Sequence, residues 1–143
     1  MSSGLLMAGS CCEDIGPESG WCGECANALP NATVTVTGSC TDQDACDDAA
    51  GSYVFLAGGY TAETKLQAAH CTWALLLAGW GILYIVYYPR TEQVSAYIEY
   101  NLVQLFSDDG IEGVSCADDE ITGSFSLSGN GGCSGCTANV TLT

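Results

Sequence analysis

Cys71-Thr-Trp-Ala-Leu-Leu-Leu-Ala-Gly-Trp-Gly-Ile-Leu-Tyr-Ile-Val-Tyr-Tyr88 lies within the longest uncharged run of the chain, and its reading decides the fold. At eighteen residues it reaches the lower length limit for a membrane-spanning helix, so that reading is met first. Gly79, Trp80 and Gly81 interrupt it, and two glycines around one residue mark a turn more readily than the middle of a helix. The second half is built from β-branched and aromatic residues that suit a pleated surface. Lys65 and Arg90 are the only basic side chains, so no cationic cluster orients a span. The run therefore predicts two buried strands, about residues 73–77 and 82–88, joined by a Gly-Trp-Gly turn.

Alternation of apolar and polar residues extends this reading in both directions. Ala32-Thr-Val-Thr-Val-Thr-Gly38 alternates strictly, and Ser52-Tyr-Val-Phe-Leu56 reads as a second strand. Residues 60–68 fit a third strand or one helical turn. Beyond the Pro89-Arg90 breaker, residues 94–106 predict one long strand, with Tyr97, Glu99 and Asn101 facing one way and Ile98, Tyr100 and Leu102 the other. Residues 123–128 and 137–143 alternate again. Eight or so short strands between Gly-rich turns predict an all-β fold, an antiparallel β-sandwich or jelly roll over residues 26–143, preceded by a Cys-rich N-terminal arm over residues 1–25. The Thr- and Val-rich strands at 32–38 and 137–143 each follow a Cys-x-x-Cys, which suggests that they lie side by side.

The chain has 143 residues, enough for one domain with a real core, and 48% of them are hydrophobic. Its 17 acidic residues against 2 basic ones give a net charge of −15. Two cations cannot replace the counterions of a phosphate backbone, so nucleic acid is excluded as a partner, and an anionic membrane surface is disfavoured. The charge favours solubility and attraction to cations or to a basic protein surface. Residues 1–10 carry no basic n-region and only a short apolar stretch, which fails the signal-peptide pattern. The expectation is a protein made in a cytoplasm.

Ten cysteines pull the other way, towards an oxidising environment. Release from the cell after synthesis reconciles the two. Cys22-Gly-Glu-Cys25 and Cys133-Ser-Gly-Cys136 can place four thiolates around one tetrahedral zinc, or form disulfides within or between the same two pairs. Either way the arm is tied to the last strand. Cys40 and Cys46 are expected to close a small loop as a disulfide, and the adjacent Cys11 and Cys12 to reach different partners. Asp42, Asp44, Asp47 and Asp48 resemble the start of a calcium loop, but Cys46 and Asp47 stand where a ligand and a glycine belong, so the loop reads as solvated. His70-Cys71 has the residue types of a thiol nucleophile and its base, without a surrounding signature, and carries no catalytic assignment. Asn31-Ala-Thr33 and Asn139-Val-Thr141 match the glycosylation pattern by chance in a Thr-rich chain. Trp21, Trp73, Trp80 and the tyrosines read as core and interface packing.

The layout of a Cys-Cys near the N-terminus, the Ala-Thr-Val-Thr-Val-Thr and Ser-Tyr-Val-Phe strands, a Trp-rich middle and the ending Cys133-Ser-Gly-Cys-Thr-Ala-Asn-Val-Thr-Leu-Thr143 resembles the small Cys-rich β-domains of tailed-phage structural proteins and some bacterial surface proteins. The resemblance carries no catalytic residues. It implies a virion building block, a capsid decoration or cement protein that binds the major capsid protein or other virion proteins and associates with its own copies. Residues 60–109 fall outside the pattern and are the expected place for a specific interface. The alternative is a secreted or surface-attached, disulfide-stapled binding module.

Overall fold

A computed structural model describes residues 20–143 of the chain. Its strands are β1 (Ala32–Gly38), β2 (Gly51–Thr61), β3 (His70–Leu76), β4 (Ile82–Tyr88), β5 (Gln93–Tyr100), β6 (Val103–Asp109), β7 (Val114–Ala117), β8 (Glu120–Gly129) and β9 (Cys136–Leu142). Two short helices, α1 (Trp21–Glu24) and α2 (Gln43–Asp47), and a single 3-10 turn at Gly131–Cys133 complete the described elements. Residues 1–19 of the expected arm, with Cys11 and Cys12, lie outside the described residues.

The antiparallel all-β architecture is present, but as one sheet closed on itself rather than two sheets packed face to face. The strands follow one another as β9-β1-β2-β3-β4-β5-β6-β8, and β8 also pairs with β9, which closes an eight-stranded barrel. β7 pairs with the first four residues of β8, Glu120 to Gly123, as a short extra strand. Period-two alternation is the same on a sandwich and on a barrel, since both have one apolar face; only the pairing of the last strand separates them. That pairing is extensive: β9 matches β1 from Cys136↔Gly38 to Leu142↔Ala32, and β8 from Thr137↔Ser128 to Leu142↔Gly123. The two Thr- and Val-rich strands are neighbours, as their likeness suggests.

The decisive run forms the expected hairpin. β3 and β4 pair from Cys71↔Tyr87 to Leu76↔Ile82, and the turn between them closes with Leu77 N–H donating to the Gly81 carbonyl at 3.0 Å. Gly79 takes φ +78°, a left-handed conformation that glycine adopts without a Cβ clash. The predicted strand over 94–106 is instead two strands, β5 and β6, joined by a two-residue turn at Asn101 (φ 52°) and Leu102 (φ 65°). Such a turn prefers Asn and Gly, and a leucine at its second position hides it from a reading based on turn residues.

An eight-stranded barrel has an interior just wide enough for side chains to fill. Tyr53, Leu75, Leu83, Ile85, Ile98, Phe106, Leu127 and Val140 occupy it, all essentially inaccessible to solvent. The Tyr53 hydroxyl donates to the Ala49 carbonyl at 3.1 Å, and burial raises its phenol above the usual tyrosine range. At one barrel end, α1 covers the opening with Trp21 stacked on Tyr87 at 5.1 Å between ring centroids and edge-on to Trp73 at 6.4 Å. Arg90, in the β4–β5 turn at the same end, pairs with Glu63.

Four disulfides join the chain: Cys22–Cys71, Cys25–Cys116, Cys40–Cys136 and Cys46–Cys133. This corrects both cysteine expectations. Cys22 and Cys25 do not meet Cys133 and Cys136, as thiolates around zinc or as disulfides, because the two Cys-x-x-Cys knuckles lie at opposite ends of the barrel. The α1 knuckle grips the first turn of β3 and β7, while the second knuckle, between β8 and β9, grips the loop after β1. Cys40 and Cys46 do not pair with each other; each reaches across to that second knuckle. The register Cys136↔Gly38 carries Cys40 alongside Cys136. The close approach needs glycine: a Cβ on Gly38 would run into the Gly135 carbonyl, and one on Gly135 into that of Ser39. Each bridge closes a loop of 49 to 96 residues, for which the chain-entropy model gives roughly 4 kcal/mol, not additive where loops nest. Proteolysis of the unreduced protein is expected to release peptides joined in these four pairs, and a Cys46→Ser/Cys133→Ser double variant to lose about 2–5 kcal/mol in chemical denaturation. A Cys40–Cys46 peptide would overturn the pairing.

Candidate functional site: the outer wall over β4

On each strand the residues that do not fill the barrel point outward, so the register sorts them into ranks across its exterior. Around β9 the ranks are hydroxyl and amide side chains: Thr33, Thr141 and Ser124; Thr35, Asn139 and Ser126; Thr37, Thr137 and Ser128. They bond to one another, with the Ser126 hydroxyl donating to Asn139 Oδ1 at 2.8 Å and Asn139 Nδ2 donating to Thr37 Oγ1 at 3.1 Å. No charged residue stands in these ranks, and Ser124 and Thr141 add a third hydroxyl contact at 3.2 Å.

The opposite wall differs. β4 stands four strands from β9 in either direction around the eight-strand ring. Its seven residues are apolar or aromatic on both faces: Leu83, Ile85 and Tyr87 enter the core, and Ile82, Tyr84, Val86 and Tyr88 face out. Across the wall, Val54, Leu76, Ile82 and Glu99 form one rank, and Ala74, Tyr84, Tyr97 and Ser107 the next. Tyr84 and Tyr97 stack at 4.8 Å, and burial, with Glu99 nearby, raises both phenols above the usual range. Val54, Leu56 and Leu76 are exposed here, as are Tyr100, Leu102 and Val103 at the barrel end. Exposed apolar patches of this kind mark interaction sites.

A groove of about 460 Å³ opens in this wall, lined by Leu76, Trp80, Ile82, Tyr84, Glu99 and Leu102. The β3–β4 turn forms one bank. It lies against β5 so closely that a Cβ on Gly81 would strike the Glu99 carbonyl, and this puts Trp80 against Tyr100, with ring centroids 5.3 Å apart. Leu102, 92% exposed, forms the other bank from a left-handed backbone position that costs a leucine roughly 1–2 kcal/mol. An exposed leucine held under that strain adds nothing to the packed core. A second groove of about 380 Å³ runs between residues 26–29 and β2–β3, over Phe55, Tyr60 and Trp73.

The other sequence candidates do not form a site. Cys71 is bonded to Cys22, and the His70 ring leans on Tyr88 with Nδ1 2.9 Å from the Ala68 carbonyl, so the pair is not a nucleophile and its base. Among the described residues no three His, Cys, Asp or Glu side chains gather to hold a metal ion, the run Asp42 to Asp48 included. Alternation puts Tyr97 and Glu99 on one face of their strand, as the register has them, but does not say that this face is the outer one or that Trp80, Tyr84 and Leu102 line the same groove. The one available signal was a carboxylate inside a strand otherwise suited to burial. Substituting Leu102→Gly is expected to leave stability unchanged or raise it by up to about 1 kcal/mol in thermal or urea unfolding, because glycine accepts the left-handed position. A loss above that amount would show that Leu102 is a packing residue. No protein-family model, curated protein or solved structure matches the chain.

Proposed function

We propose that the chain is a non-catalytic docking module of an oxidising environment, a cross-linked barrel that attaches to a partner protein through the wall over β4. The exposed apolar and aromatic wall, facing away from a neutral hydroxyl wall, is the observation that carries this reading. Side chains fill the barrel interior, and the groove beside Glu99 lies in the outer wall. Four disulfides fit a protein that functions beyond the reducing cytosol. The net charge of −15 selects a basic partner surface over an acidic one and opposes stacking of free copies.

Two dissimilar walls suit one-sided attachment to a larger surface, with the aromatic wall down and the hydroxyl wall to water. Decoration of a capsid lattice is the form of this role that the resemblance implies: many copies, each bridging neighbouring subunits of a major capsid protein, would stiffen the shell by avidity. A secreted or surface-attached module uses the same geometry with a single partner. To test the docking role, a photo-reactive residue is placed at Ile82 or Leu76, and for comparison at Thr35, and cross-linking is run in the producing culture. One defined adduct from the wall positions and none from Thr35 is expected. Equal labelling from both walls, or none from either, contradicts the proposal.

A further inference from the structure

We infer that the groove beside Glu99 is a receptor for an arginine side chain presented on the apolar surface of a partner. The inference rests on the docking reading for the wall's being an interface, and it names the chemistry of the contact.

Glu99 carries no hydrogen bond or ion pair to any described residue, although it is half-buried in a wall of apolar and aromatic groups. The two basic side chains are elsewhere: Arg90 is engaged with Glu63 in the β4–β5 turn at the far end of β4, and Lys65 lies in the loop between β2 and β3. A carboxylate that docking would bury calls for a countercharge, since burying it unpaired forfeits its hydration with nothing in exchange. The partner must supply that charge.

The surroundings of Glu99 select the kind of cation. Ile82 stands directly across from it in the β4–β5 register, and Tyr84 one rank away on the same face. Trp80, backed by Tyr100, forms the bank opposite Leu102. An indole is the best of the aromatic faces for a cation, and a guanidinium stacks on such a face while forking two N–H donors onto a carboxylate. An ammonium offers a point charge with a tighter hydration shell and no planar face, so arginine suits the groove better than lysine. Leu76, Ile82 and Leu102 cover the aliphatic stem. The charge of the whole chain adds long-range attraction for such a side chain.

The groove can be tested without the partner, on the full oxidised chain. N-acetyl-arginine methylamide and its neutral isostere N-acetyl-citrulline methylamide are titrated separately while the Trp80 indole and the Tyr84 ring are followed by NMR. The arginine probe is expected to give saturable shifts confined to the groove and to bind about fivefold or more tighter than citrulline, the equivalent of roughly 1 kcal/mol. Glu99→Gln should abolish that preference, Trp80→Leu should weaken the arginine probe, and Thr35→Val should change nothing. Added salt should weaken the arginine probe and leave citrulline unchanged. Equal binding of the two probes, or a preference that survives Glu99→Gln in a folded variant, overturns the inference. A partner cross-linked at Ile82 without arginine preference in the groove would leave the docking role standing and remove this site. Saturable arginine binding with no cross-linked partner would do the reverse.

Discussion

The last strand, hydrogen-bonded along both edges, is the constraint on which the rest of the molecule depends. β9 holds β1 on one side and β8 on the other, so the two ends of the described chain meet and the sheet has no open seam at that point. Closure fixes the barrel radius, and the radius fixes which side chains fit inside. It also sets the disulfides: β9 begins at Cys136, three residues after Cys133, so the register that closes the barrel also brings the loop carrying Cys40 and Cys46 over its end. At the other end, α1 is fastened through Cys22 and Cys25 to strands that are not neighbours in the sheet, β3 and β7. Two knuckles of the same spacing thus do the same mechanical job at opposite ends.

A barrel with a filled interior has only its exterior left for recognition. The exterior carries hydroxyl and amide groups around β9 and mainly apolar and aromatic groups around β4, where Thr72, Ser95 and Asp109 share the rank of Val86. Many of the acids sit outside the strands, among them Asp42, Asp44, Asp47, Asp48, Glu63, Glu92, Asp118 and Asp119. Glu99 departs from this distribution, a carboxylate on the aromatic wall itself. The turns that frame its groove, residues 77–81 and 101–102, carry left-handed backbone at Gly79, Asn101 and Leu102, as the β4–β5 turn does at Glu92. A rigid barrel wall with its shape set by two constrained turns loses little entropy on docking.

Much of the fold was legible in the residues. Strict alternation located β1, β8 and β9, and the Gly-Trp-Gly interruption located the central hairpin, because period and turn chemistry are local properties. The pairing of strands far apart in sequence is not local, and alternation left sandwich and barrel equally open. Cysteine connectivity was hidden for the same reason: sequence spacing suggested Cys40 with Cys46 and the two knuckles together, whereas strand register decides which sulfurs meet. The split between β5 and β6 was masked by Leu102, a residue that argues against the turn it occupies. Of the candidate site, the shared face of Tyr97 and Glu99 was legible, and residues 60–109 include those lining the groove, though not Val54 and Leu56 of the wall. The juxtaposition of Glu99 with Trp80 was not legible, since that depends on how closely Gly81 lets the β3–β4 turn approach β5.

The most direct test of closure is native-state amide hydrogen exchange on the oxidised protein. If β9 is the strand that closes the barrel, the amides of Ala138, Asn139, Val140 and Thr141 should exchange only through global unfolding and rank among the most protected, with those of Val34 and Phe125 equally slow. Exchange of the β9 amides at rates typical of exposed loops, with β3 to β5 still protected, would mean an open sheet and would contradict the account.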